Sequence, residues 1–149
     1  MAALLDTCVI VNALRSGLNL PYSSFISLVT EAELRSLAKQ WNWGENRVRP
    51  MERLLDRLPK IAIDMALLDE YVRIDCYSKG KLQNDLLPKG QTARKMGKND
   101  LWIAATAIFY ELNLYTSDND YDHLPIFGLT LTKVTYPKLG EGTEILRIS

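Results

Sequence analysis

Acidic side chains stand in this chain where distant segments of a fold can meet. Asp6 closes the short apolar run AALLD, Glu31 and Glu33 stand at the head of an apolar stripe, and Asp100 opens the apolar run LWIAATAIF. Asp118, Asp120 and Asp122 crowd into one turn-like segment, SDNDYD. Carboxylates brought together repel one another, and each unit by which a pKa is raised costs the charged form about 1.4 kcal/mol. A divalent cation relieves that repulsion. An all-oxygen donor set suits Mg²⁺ or Mn²⁺ better than Zn²⁺, and the single histidine, His123, leaves no His-based zinc site to compete. Such an ion activates water and neutralises charge on a phosphodiester. One histidine also excludes metal-free RNA cleavage by a histidine pair. With no GxxxxGK, GxGxxG or GxSxG motif present, P-loop nucleotide hydrolysis and serine acyl transfer have no support.

The elements that must position these acids alternate between short strands and helices. AALLD (2–6) reads as a buried strand ending in Asp6, and VIVNAL after it suits a helix or turn packed on that strand. Ser24 to Leu28 suits a second strand. Thr30 and Glu33 have capping-box spacing for a helix with the stripe Leu34, Leu37, Ala38 and Trp41. Gly44 breaks that helix and Pro50 opens another, through MERLLDRL to Pro59. A third strand follows at Lys60–Ile63, and Asp64 caps a helix from Met65 to about Ser78. Asn99 is a good N-cap for a central helix over Leu101–Leu112 with Asp100 in its first turn, and Asn113 is its stop. Leu114 and Tyr115 make a short strand leading into the acidic turn, and LTLTKVT (129–135) and TEILRI (143–148) are two more strands among the Pro and Gly breakers of the tail.

This alternation predicts a three-layer α/β/α domain spanning 1–149, with a central, mainly parallel sheet. Open α/β sheets bind ligands beyond the carboxyl ends of their strands, where Asp6, Glu33 and Asp118 fall. Eighteen basic and eighteen acidic residues cancel, so the chain has no global field for nucleic acid. The segment from Lys79 to Lys98 is different: Lys79, Lys81, Lys89, Arg94, Lys95 and Lys98 face only Asp85, in an exposed loop just before Asp100. It reads equally as a solvated loop or as a phosphate-binding flank, with Lys95 and Lys98 the candidate phosphate contacts. Cys8 and Cys76 resemble neither a disulfide framework nor a zinc site, and read as reduced core thiols. Trp41, Trp43 and Trp102 read as core. Without a signal-peptide pattern or a membrane-length apolar run, the chain is expected to be soluble and cytoplasmic.

Four motifs in order, LLDTCVIVNAL, ISLVTEAELRSL, KNDLWIAATA and LYTSDNDYDHL, resemble those of PIN-domain nucleases, and within them the VapC-like toxins of toxin–antitoxin pairs. The resemblance covers nearly the whole chain. It implies a PIN-like fold and a metal-dependent endoribonuclease acting on single-stranded or loop RNA, inhibited by an antitoxin protein and commonly a homodimer. It places Asp6, Glu33, Asp100 and Asp118 around Mg²⁺ or Mn²⁺, with Asp120 a variable further ligand. Thr7, Asn99 and Thr116 look like residues that hydrogen-bond the ligating acids, although caps and turns explain them equally well. Periodicity alone would choose Glu31 over Glu33; the resemblance chooses Glu33. The chain departs from the family in carrying Asp118 where Asn is frequent and Tyr121 where Phe is frequent.

Two other readings use the same acids. A phosphoaspartyl hydrolase of the haloacid-dehalogenase type also begins with an Asp at the end of strand one, but carries a second Asp two residues on, where this chain has Cys8. A PIN fold without activity, serving as an RNA-binding or scaffold module, would not need the full acid set.

Overall fold

The computed structural model describes residues 1–17, 19–135 and 147–148. Its first strand, β1 (Ala3–Leu5), lies at the middle of the sheet, with β2 (Ser24–Ser27) on one side and β4 (Asn113–Thr116) on the other. The full order is β3-β2-β1-β4-β5-β6, where β3 is Lys60–Ile61, β5 Thr130–Thr135 and β6 Arg147–Ile148. Neighbours from β3 through β5 run parallel, and only β6 is antiparallel, pairing Val134 with Ile148. The chain leaves β1 toward β2 and β3, then returns to the opposite side at β4. That reversal opens a crevice at the carboxyl ends of β1 and β4.

Period-two alternation in β1 builds two cores. Leu4 packs into one with Leu114 of β4 and the helices α4 (Leu68–Ser78) and α5 (Lys98–Phe109), while Ala3 and Leu5 enter the other with α1 (Thr7–Ser16), α2 (Leu28–Gln40) and α3 (Glu45–Arg57). Helices therefore cover both faces, giving three α/β/α layers. Leu4, Leu5, Ile26 and Leu114 are all 0 % exposed, each contributing about 1.5–3 kcal/mol by leaving water. Burial on both sides of β1 explains why AALL is uniformly apolar. Helix α5 is the most enclosed: Leu101, Ile103, Ala104, Ala105, Thr106 and Ala107 are all buried.

Local readings shift where a tertiary partner outcompetes a local signal. The N-cap of α2 is Ser27, whose hydroxyl accepts the Val29 N–H at 3.1 Å, so the Thr30–Glu33 capping box does not form; Thr30 is already helical and buried. Pro50 lies inside α3 rather than opening it, withholding one N–H from the ladder in the second turn. The N-cap of α5 is Gly97, placing Asn99 inside the helix and Asp100 in its first turn. The same helix ends three residues before its expected limit because Glu111 turns left-handed at φ 55°, with Leu112 N–H returning to the Ala107 carbonyl at 2.8 Å. This is a Schellman closure with glutamate in the position glycine usually takes. Asn113 instead begins β4. Trp41 is 71 % exposed, not core, whereas Trp43 and Trp102 pack against the two cores. A 3₁₀ turn over Met65–Leu67, capped by Asp64, precedes α4. Both cysteines are free and half-buried.

From Lys79 to Gly97 the chain forms neither helix nor strand. Leu82, Leu87 and Met96 nonetheless anchor this segment to the α4–α5 core. Of the proposed strand TEILRI only Arg147 and Ile148 are described, in β6; its residues 143–146, and the tail breakers at 137, 140 and 142, lie outside the described residues. No described helix is long and apolar enough to cross a membrane.

Candidate active site

The acids gather at the crevice between β1 and β4. Asp6 follows β1 directly and caps α1, its Oδ1 accepting the Thr7 N–H at 2.8 Å. Its Oδ2 accepts the Thr116 hydroxyl at 2.7 Å, and the same Thr116 oxygen accepts the Asp118 N–H at 3.0 Å. One hydroxyl thus ties the ends of both central strands to both acids. Cys8 completes this knot: its Sγ lies 3.5 Å from Thr116 Oγ1 and accepts the Ser117 N–H at 3.5 Å. Burial raises the Asp6 pKa, the Thr116 and Thr7 hydrogen bonds oppose the rise, and the Asp118 charge adds to it.

Glu33 approaches from α2. Its Oε1 accepts the Thr7 hydroxyl at 3.2 Å, and partial burial, together with the Asp6 charge, raises its pKa against hydrogen bonds from Thr7 and Asn99. Glu31 points elsewhere, pairing with Lys60 at 3.3 Å and Arg35 at 3.4 Å. Thr7, Asn99 and Thr116 therefore each hold an acid as well as occupying a helix or strand end. A groove of about 450 Å³ beside Glu33 is lined also by Val29, Ser36, Gln40 and Asn99.

Asp100 is aimed inward by the first turn of α5, where the helix dipole favours a carboxylate. Burial pushes its pKa up to about 6, with Asp6, Asp118 and Asp120 adding to the rise while a hydrogen bond from Tyr121 opposes it. The Tyr121 hydroxyl donates to Asp100 Oδ1 at 2.9 Å from a wholly buried ring. Burial and the neighbouring acids push that phenol far above its ordinary value, so it remains a donor at any working pH. Asp118 caps the 3₁₀ turn Asn119–Tyr121, its Oδ1 accepting the Asp120 N–H at 2.9 Å.

Asp100, Asp118 and Asp120 each offer a carboxylate oxygen, all within 4.8 Å of one another. Oxygen donors gathered this closely would hold a divalent cation, which takes carboxylate ligands. The all-oxygen chemistry and the upward pKa pressure fit a hard divalent cation. Asp6 and Glu33 are not part of that triplet; Asp6 is coupled by charge to Asp118 and Asp100, and Glu33 is coupled by charge to Asp6. Asp122 turns away to Lys133 at 2.9 Å. Lys95 and Lys98 are both exposed, and Lys98 is the first residue of α5. Arg94 docks the basic loop on the acidic turn, donating to the Asn119 carbonyl at 3.4 Å. A larger groove of about 910 Å³, lined by Ala13, Leu14, Pro50, Arg53 and Leu54 of α1 and α3, contains none of these acids.

Three participants escape a reading by acid spacing: Tyr121, Cys8 and Lys133. Each had a signal. Tyr121 stands between two acids of the turn, Cys8 lies two residues after Asp6, and Lys133 interrupts the strand TLTKVT with a cation.

A family model described as the PIN domain matches residues 3–126. Solved structures share the fold. The structure of VapBC2 from Rickettsia felis bound to a promoter DNA fragment superposes with TM-score 0.66 at 23% identity, over 88% of this chain and 97% of that one. VapBC-1 from nontypeable Haemophilus influenzae gives TM-score 0.63 at 23% identity, over 89% and 98%. VapBC-5 from Mycobacterium tuberculosis, a member of the VapBC family of toxin–antitoxin systems, gives 0.60 at 26% identity, over 88% and 96%. No curated protein sequence matches the chain.

Proposed function

This chain belongs to the PIN-domain family, and from that premise we propose that it is a divalent-metal-dependent endoribonuclease, the toxin of a toxin–antitoxin pair working in the cytoplasm. The observation that carries the reading is the convergence of Asp100, Asp118 and Asp120 within 4.8 Å, beside buried Asp6, at the sheet's switch point. In this reading Asp6, Asp100, Asp118 and Asp120 hold Mg²⁺ or Mn²⁺, and Asp6, Glu33, Asp100 and Asp118 are the catalytic set. The bound ion supplies an activated water and offsets the charge on the phosphodiester.

The chain's own groups do the rest. Thr116 and Thr7 fix the direction of the Asp6 carboxylate, and Tyr121 fixes that of Asp100. Glu33, held by Thr7 and raised in pKa, is suited to take up a proton at the edge of the cluster. Lys95 and Lys98 draw the RNA backbone toward α5. The structural neighbours named as toxin–antitoxin assemblies support an inhibitory antitoxin as partner, and the resemblance to VapC-like toxins supports a homodimer.

Incubating the protein with unstructured and hairpin RNAs, in Mg²⁺ or Mn²⁺ and again in EDTA, beside Asp6→Asn, tests this reading. Cleavage is expected only with metal and only by the unaltered chain. Cleavage persisting in EDTA or in Asp6→Asn would refute the mechanism.

A further inference from the structure

The acidic turn carries Asp118, Asp120 and Asp122 within five residues, yet only two of them join Asp100. Lys133 of β5 packs against this turn. Its ammonium donates to the Asp118 carbonyl at 2.8 Å, to Asn119 Oδ1 at 2.6 Å and to Asp122 Oδ1 at 2.9 Å. These three oxygens all belong to the 118–122 turn, and none of them is a carboxylate oxygen of Asp118 or Asp120. Asp122 pairs with Lys133, while the Asp118 and Asp120 carboxylates lie with Asp100.

We propose that Lys133 is a positioning residue for the metal site: it clasps the 118–122 turn so that Asp118 and Asp120, and not Asp122, present their carboxylates to the cation. The inference rests on the metal-dependent reading above. Without Lys133, Asp122 loses its counter-charge and the turn carries three uncompensated carboxylates. Mutual repulsion then spreads them, and the cation must spend part of its binding energy in regathering Asp118 and Asp120.

Charge and geometry make opposite predictions here. If Lys133 acted only as a nearby positive charge, its removal would strengthen binding of a divalent cation by relieving repulsion. If it positions the turn, removal weakens binding, because partners that orient ligands typically carry ten- to a hundredfold in metal affinity.

The test is the Mn²⁺ affinity of the metal-free protein, read by Mn²⁺ electron paramagnetic resonance and calorimetry, at a temperature where circular dichroism shows every variant folded. Lys133→Met retains the aliphatic stem and removes the donors; Asp122→Asn removes one clasped charge and retains an acceptor. Lys133→Met is expected to weaken Mn²⁺ about tenfold or more, Asp122→Asn by several-fold less, and Lys133→Arg to recover part of the loss. Unchanged or tighter Mn²⁺ binding in Lys133→Met, even with a lower melting temperature, would overturn the positioning role and leave a simple stabilising ion pair. Failure of the unaltered chain to bind Mn²⁺ would instead overturn the metal-dependent reading, and this inference with it.

Discussion

Asp100→Asn is expected to stabilise the metal-free protein while removing its response to metal. Asp100 ionises at about 6 against an ordinary 3.8, a difference of about 2 units that corresponds to a ceiling of about 3 kcal/mol lost when the folded protein must carry this charge. Because the group is half-buried and partly screened, about 1–2 kcal/mol is a better expectation. The sign follows from proton uptake. With the folded pKa raised, the native state holds the proton more tightly than the unfolded chain, so stability is fully present below about pH 4 and is lost as pH rises through 6. His123 works in the opposite direction over nearly the same window. Burial first, and Arg94 second, lower its pKa to about 4, so its contribution falls as pH drops from about 6.5 toward 4. In the unaltered protein His123 opposes Asp100 while the raised pKa values of Asp6 and Glu33 act with it, so the difference between variant and parent is the quantity that reports on Asp100. Asparagine resembles the protonated carboxyl and still accepts the Tyr121 hydroxyl. Melts in EDTA between pH 4 and 8 should show the two proteins nearly equal at pH 4 and the variant higher by roughly 3–6 °C at pH 7.5. Added Mn²⁺ should raise the parent and scarcely move the variant. A variant no more stable than its parent at pH 7.5 would refute the claim that repulsion and burial strain this site.

Two further outcomes test the surroundings of the acids. Tyr121→Phe removes the one hydrogen bond that lowers the Asp100 pKa, so the pH at which half-maximal Mn²⁺ binding is reached should move upward; an unmoved midpoint in metal titrations across pH would show that the hydroxyl does not act on Asp100. Neutralising Lys95 and Lys98 together should reduce the slope of log RNA affinity against log salt by about 1.4 if both meet phosphates of a single strand, and an unchanged slope in filter binding would remove them from the interface.

Much of the architecture was legible because it obeys local periodicities. A strand buried on both faces must be apolar throughout, as in AALL, and a helix buried over most of its length reads as LWIAATA does. Once strands and helices alternate, a mainly parallel sheet follows, and with it the edge at which Asp6 and Asp118 must emerge. Caps and helix ends were less legible. Ser27 and Thr30 are both competent caps, and the choice between them depended on where β2 released the chain. The left-handed closure at Glu111 has no glycine to announce it.

Sequence by itself thus determined the layered class, the two-sided burial of β1 and the supply of acids at strand ends, since each follows from the order of apolar and polar residues along a few turns or strands. Tertiary contacts, which residue periodicity does not encode, decide which acids meet. Glu33 rather than Glu31 faces Asp6 because Thr7, 26 residues away, reaches it, while Lys60 and Arg35 claim Glu31. Asp118 and Asp120 lie with Asp100, whereas Asp122 pairs with Lys133 of another strand. Thr116 binds Asp6 across 110 residues. Hydrogen bonds and charge interactions depend on distance in space, and a local pattern of residues contains no record of those distances.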